Sequence, residues 1–175
     1  MIGHVSSKGG VAMIASVRPR TTGIRAVVAV MAILLLQWGF LAPPGSAQMA
    51  SAVANVSTHT FTVGAAGETR MMPASMGKPG YETPLGTFEV LEKVRYLVMD
   101  SSTYGVPIDA PEGYRVDTEY AVRLTWGGIF VHAAPWSVDS QGHENVSHGC
   151  INLSTENARW FYENVQVGDT VTIVG

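Results

Sequence analysis

Ala26 to Ala42 is an uncharged run of 17 residues, AVVAVMAILLLQWGFLA, and it divides this chain before any fold is considered. Lys8, Arg18, Arg20 and Arg25 precede it; Pro43, Pro44, Gly45 and a series of small residues follow. A basic flank, an apolar centre and a small-residue exit are the parts of a secretory signal. Gly45-Ser46-Ala47 and Ala50-Ser51-Ala52 both set small residues where a signal peptidase reads, and Met13 offers an alternative start. An uncleaved single-span anchor competes with cleavage, although 17 residues is short for a bilayer. A buried core helix fits poorly, because the run has no polar face. On either export reading, residues 1–52 are a cytoplasmic n-region plus signal peptide or membrane anchor. Residues 53–175 then fold outside the cytoplasm, secreted or held in the cell envelope, with the membrane touched only through the N-terminal segment.

This division changes what the composition means. The whole chain carries a formal charge of −3, but all 14 acidic residues lie after position 55, with only seven of the 11 basic ones. The exported part is therefore acidic, at −7. An acidic domain lacks the basic surface that a general nucleic-acid binder needs. One Cys, Cys150, excludes an internal disulfide framework and any Cys-cluster metal site. Outside the cytoplasm such a thiol is either buried and inert or present for its reactivity.

From Asn55 onward, short strand-like runs are punctuated by Gly and Pro. Ser57–Val63 sets Phe61 and Val63 on one face, Thr87–Val94 alternates at Phe88 and Val90, and Tyr120–Leu124 alternates Tyr120, Val122 and Leu124. Gly128–His132 and Thr170–Val174 are two further strands, the last after a Gly168-Asp169 turn. Strands at this spacing predict a mainly β domain, an antiparallel sheet or sandwich. One helix is expected over Thr155–Val165, with Ser154 as N-cap and Ala158, Phe161 and Val165 along its apolar face. Tyr96–Arg115 is rich in Pro and Gly and has little periodicity, so it reads as a long loop of the kind that forms lids or binding loops.

Chemistry concentrates between His132 and Asn152. Cys150 sits in Ser147-His148-Gly149-Cys150-Ile151-Asn152, and His132 ends a strand upstream. A cysteine nucleophile needs a base to form its thiolate, and a His on a rigid strand end can be that base if a third group fixes its tautomer. Gly149 lets backbone approach a substrate closely, and neighbouring N–H groups could stabilise an oxyanion.

His132, fourteen intervening residues and then Ser-His-Gly-Cys-Ile-Asn resemble the L,D-transpeptidase (YkuD-like) catalytic motif, and Met99-Asp100-Ser101-Ser102-Thr103-Tyr104-Gly105-Val106-Pro107 is closest to its actinobacterial branch. Thr83-Pro84-Leu85-Gly86-Thr87-Phe88 also resembles a family element. The resemblance implies an antiparallel β-sandwich-like catalytic fold with one or two short helices, acting on peptidoglycan stem peptides as donor and acceptor and open to inhibition by carbapenems. It implies Cys150 as nucleophile, His132 as base and the Ala133 backbone carbonyl as its orienting group, in a position where Ser is usual in this branch. It places His148 and Gly149 near the oxyanion, Ser147, Asn152 and Trp136 in the pocket, and Met99, Tyr104 and Tyr114 on a lid. Release of D-Ala, a thioester and a 3→3 cross-link would follow, with no cofactor and no metal.

The plainer readings are these. Cys is among the residues most often buried for packing alone, although its His, Gly and Asn neighbours favour a nucleophile here. His132, His143, His148 and Cys150 have no usual zinc-ligand spacing, and His143 reads as a solvated loop residue. Trp136 could be packing only; Trp160, Phe161 and Tyr162 read as helix packing. Glu112, Asp117 and Glu119 read as solvated faces, and no carboxylate pair suggests a glycosidase. Two other functions fit the same residues: an L,D-carboxypeptidase, with water as acceptor, and a catalytically silent wall-binding module.

Overall fold

The computed structural model describes residues 49–175; the apolar run and both of its export readings lie outside them. Nine strands, one α-helix and two 3-10 segments make up this part. In chain order the strands are β1 (Ser51–Asn55), β2 (Thr60–Ala65), β3 (Glu68–Pro73), β4 (Gly86–Glu89), β5 (Glu92–Asp100), β6 (Arg115–Arg123), β7 (Phe130–Ala133), β8 (Ile151–Leu153) and β9 (Thr170–Val174), and the helix α1 is Thr155–Asn164. They form a five-stranded sheet in the order β3-β2-β1-β9-β4 and a four-stranded sheet in the order β5-β6-β7-β8. Most neighbours run antiparallel, as the short punctuated runs predict; β1 with β9 and β7 with β8 are parallel.

Alternation drives the first sheet. Ala52 and Ala54 of β1, Phe61 and Val63 of β2, and Val171 and Ile173 of β9 are all buried on one face. With period-two side chains, that face has to be covered by another layer. Helix α1 supplies part of the cover, packing against β6, β7 and β8 while its Phe161 ring meets Phe61 edge to face, with centroids 4.9 Å apart. Ser154 caps the helix by accepting from the Asn157 N–H at 3.3 Å, and Ala158 and Phe161 form its buried stripe. The helix forms where expected with its predicted cap, but ends at Asn164, leaving Val165 as a buried C-cap.

Two expectations need correction. Thr87–Val94 is not one strand. Val90 leaves the ladder with its N–H on the Asp169 carbonyl and Leu91 turns to the Arg123 carbonyl, so β4 belongs to one sheet and β5 to the other. Alternation continues through this corner because Val90 stays buried in the shared core, and periodicity alone does not report a change of sheet. Tyr96–Arg115 is also not all loop. Tyr96–Asp100 belongs to β5, which pairs with β6 from Glu92↔Arg123 to Asp100↔Arg115. This long hairpin projects towards the site, and Tyr120 within it adopts φ 55°, a left-handed conformation uncommon for a non-glycine residue. Only 101–114 is irregular, opening with a 3-10 turn over Ser101–Tyr104 that Asp100 caps.

Candidate active site

Parallel pairing of β7 with β8 puts His132 opposite Asn152 and Val131 opposite Ile151, so the strand end carrying His132 lies beside the turn carrying Cys150. Two distant sequence motifs become neighbours through three residue pairs.

His132 is 2% exposed. Its Nδ1 is 2.8 Å from the Ala133 carbonyl oxygen, which can only accept, so Nδ1 carries the proton and Nε2 is left as the basic nitrogen. Thr118, on β6, completes this arrangement: its hydroxyl donates to the Ala133 carbonyl at 2.5 Å and lies 3.1 Å from His132 Nδ1. Thr118 escapes the sequence reading, because a Thr in an alternating strand carries no signal for chemistry. Burial holds the His132 imidazole down to about 4, against the hydrogen bond to Ala133. It is therefore a neutral ring at neutral pH.

Cys150 is partly exposed, and its Sγ lies 3.5 Å from the Gly128 carbonyl oxygen. Burial of the sulfur pushes the thiol up to about 11, opposed by a backbone hydrogen bond from Phe130 and by the charge of Arg123. The resting pair is thus neutral thiol and neutral imidazole. Gly149 adopts φ 113°, where a side chain is strained, and a Cβ there would come within 2.9 Å of Ile129 Cδ1. The turn is braced from both sides. Gly149 N–H donates to Ser147 Oγ at 3.1 Å, Ser147 Oγ donates to the Cys150 carbonyl at 2.6 Å, and the buried Thr83 hydroxyl donates to the Gly149 carbonyl at 2.9 Å. The Gly149 N–H is accordingly occupied in this conformation.

A cavity of about 390 Å³ opens at this pair. Met99, Tyr114, His132, Trp136, Ser147, His148, Cys150 and Asn152 line it, with Val116, Ser137, Ser140 and Val146, which sequence reasoning did not single out. Tyr104 stands outside that lining, with its ring 6.2 Å from that of Tyr114. Burial first, and Tyr104 beside it, hold the Tyr114 phenol above its usual range. The Trp136 ring is 6.0 Å from the His132 ring, and the Asn152 amide donates to Ser137 Oγ at 3.1 Å, tying β8 to the Pro135–Ser140 turn.

Glu112 is solvent-exposed, as expected, and it is also paired. Its Oε2 receives Lys78 Nζ at 2.5 Å and lies 3.0 Å from His148 Nε2, and these partners keep its carboxyl below the usual range. It is an exposed carboxylate that also bridges Lys78 and His148 at the cleft rim. His148 itself is boxed by Tyr81, with centroids 4.6 Å apart, and by Tyr114 at 5.0 Å. Among the described residues, no group of three or more His, Cys, Asp or Glu is placed to hold a metal ion.

The family model of the YkuD L,D-transpeptidase catalytic domain matches residues 50–173. L,D-transpeptidase 1 of Mycobacterium tuberculosis is 56% identical over 124 residues, covering 70% of this chain and 49% of the relative. Probable L,D-transpeptidase 3 of the same organism is 47% identical over 140 residues, covering 69% and 52%. The chain spans about half the length of these curated relatives. Two solved structures superpose closely. L,D-transpeptidase 3 of Mycobacterium tuberculosis in complex with a faropenem-derived adduct has a TM-score of 0.70 and 46% identity, over 72% of this chain and 60% of that one. LD transpeptidase LdtMt1 in complex with imipenem has a TM-score of 0.69 and 54% identity, over 71% and 58%. A match across nearly all of the described residues, close to relatives whose named activity fits the paired His and Cys, means that this chain belongs to the L,D-transpeptidase catalytic domain family.

Proposed function

We propose that this chain is an exported cysteine L,D-transpeptidase that forms 3→3 cross-links between peptidoglycan stem peptides. The observation carrying the proposal is the tautomer of His132: with Nδ1 committed to the Ala133 carbonyl, Nε2 is free to take the Cys150 proton. Sγ attacks the carbonyl carbon between the third residue of the donor stem and its terminal D-Ala, while the thiol proton moves to Nε2. Collapse of the tetrahedral intermediate breaks the peptide bond, and the proton on His132 leaves with the D-Ala amine. The side-chain amine of an acceptor stem then attacks the thioester, loses a proton to His132 and releases the thiol. Donor enclosure falls to the cavity walls of Met99, Tyr114 and Trp136. Export is supported by the basic, apolar and small-residue sequence of the first 52 residues.

The relatives with a faropenem-derived adduct and with imipenem suggest the direct test. Intact-mass measurement after carbapenem treatment should find one adduct, on Cys150, and none in Cys150→Ala. His132→Ala should slow adduct formation by about a hundredfold or more, the scale of losing a general base. Incubation with purified stem tetrapeptide should give cross-linked dimers with D-Ala release. Tripeptide without dimer would mean that water is the acceptor, and no adduct and no turnover would sink the enzyme reading.

A further inference from the structure

The 101–114 segment is stiff within itself. Ser101 is buried, donates its N–H to the Tyr114 carbonyl, accepts the Val106 N–H on its own carbonyl, and accepts the Tyr114 N–H on its Oγ at 2.9 Å. At the far end Gly113 donates to the Ala110 carbonyl at 2.8 Å, and a side chain on Gly113 would collide with the Pro107 and Ile108 carbonyls. At its root, Asp100 pairs with Arg115 at 2.8 Å. Such a segment moves as one piece, if it moves. Among the described residues, its hydrogen bonds and ion pairs to the body of the domain beyond that root converge on one atom, Glu112 Oε2, through Lys78 and His148. Lys78 lies in the stretch after β3 and His148 in the catalytic turn, so this single carboxylate joins three separate parts of the chain. Tyr114, two residues on, stacks against the same His148 and walls the cavity.

We propose that Glu112 is a positioning residue for the donor stem: it latches the 101–114 segment onto His148 and Lys78 and so holds Tyr114 against the bound peptide. Released, the segment leaves the cavity wider, and the donor loses enclosure. The base is untouched, because the hydrogen bonds of His132 and Ala133 run to each other and to Thr118 and not to Glu112. Glu112 thus acts on how tightly the donor is held, not on the chemical step. The proposal rests on the reading of Cys150 as the acyl acceptor, but its mechanical half does not.

Both halves can be tested on the whole 175-residue chain. Glu112→Ala should raise KM for stem tetrapeptide about fivefold with kcat within about twofold, the scale of a partly exposed ion pair and a hydrogen bond. Amide hydrogen exchange of 101–114 should speed up while β7 and β8 stay protected. Glu112→Gln, which keeps an acceptor without the charge, should fall between wild type and Glu112→Ala. Lys78→Ala added to Glu112→Ala should have no further effect, since both remove the same tie. Unchanged exchange and unchanged KM in Glu112→Ala would overturn the latch, and so would a loss confined to kcat. If wild type shows neither turnover nor a Cys150 adduct, the catalytic reading fails, and the exchange measurement still decides the latch.

Discussion

Thr118 Oγ1 lies 3.1 Å from His132 Nδ1 and donates to the Ala133 carbonyl at 2.5 Å, so one hydroxyl touches both partners of the bond that sets the imidazole tautomer. Both Thr118 and His132 are buried, and no solvent competes directly for these groups. Thr118→Val keeps the volume and removes the bridge. Carbapenem acylation should slow about threefold to tenfold, the scale of one hydrogen bond, and Thr118→Ser should restore it. An unchanged rate in Thr118→Val would show that Ala133 alone orients the ring.

The pair is neutral at rest, and this has a pH signature. Acylation should be flat across neutral pH and fall only as pH drops through about 4, where His132 protonates and ceases to be a base. A thiolate–imidazolium pair would instead give a bell around neutrality. Iodoacetamide without a bound donor should label Cys150 slowly at neutral pH and faster as pH rises towards about 11.

The same shift bears on stability. His132 folds with its imidazole held below the ordinary value of 6.5, so the unfolded chain takes up a proton first as pH falls. Stability should be full above about 6.5 and decline as pH falls from there through about 4. Denaturant titrations at stepped pH would read this directly, with His132→Gln, if folded, removing that part of the slope.

Gly149 is predicted to be intolerant of any side chain. Gly149→Ala puts a Cβ at φ 113°; the Ile129 tip, 2.9 Å away, can swing aside, but the backbone strain remains and is relieved only if the turn shifts and takes Cys150 with it. Acylation should drop more than about tenfold, consistent with a strained backbone at about 1–3 kcal/mol. Melting temperature, followed in parallel, separates a displaced thiol from a lost fold.

β1 makes the two candidate processing points structurally unequal. Ser51 and Ala52 pair with Gly64 and Val63 on one side and with Thr170 and Val171 on the other. The Ala50 N–H also satisfies the buried Asp169 carboxylate at 3.0 Å. A chain starting at Val53 should be less stable than one starting at Gln48 by about 2–4 kcal/mol, the sum of a few hydrogen bonds and the buried methyls of Ala50 and Ala52. Equal denaturation midpoints would show that this end of β1 is dispensable.

The strands and helix around Phe61, Phe161 and Val171 are legible in the sequence because burial on one face imposes a period, and period is local information. His132 and Cys150 are legible for another reason: a motif of His, Gly, Cys and Asn is rare enough to mark chemistry before any fold exists. Thr118 and Glu112 are not legible. A Thr on an alternating strand and a Glu in a Pro-rich loop look like ordinary surface chemistry, and only pairing across distant strands and loop ends brings one to Ala133 and the other to His148. The corner at Val90 is invisible for the same reason, since a residue buried in a shared core keeps its alternation whichever sheet its strand joins. Local pattern was enough for the β-rich core, the capped helix and the motif that holds Cys150, with His132 upstream of it. Tertiary structure decided their register, the tautomer of that His and the closure of the rim, because these depend on contacts between residues far apart in the chain.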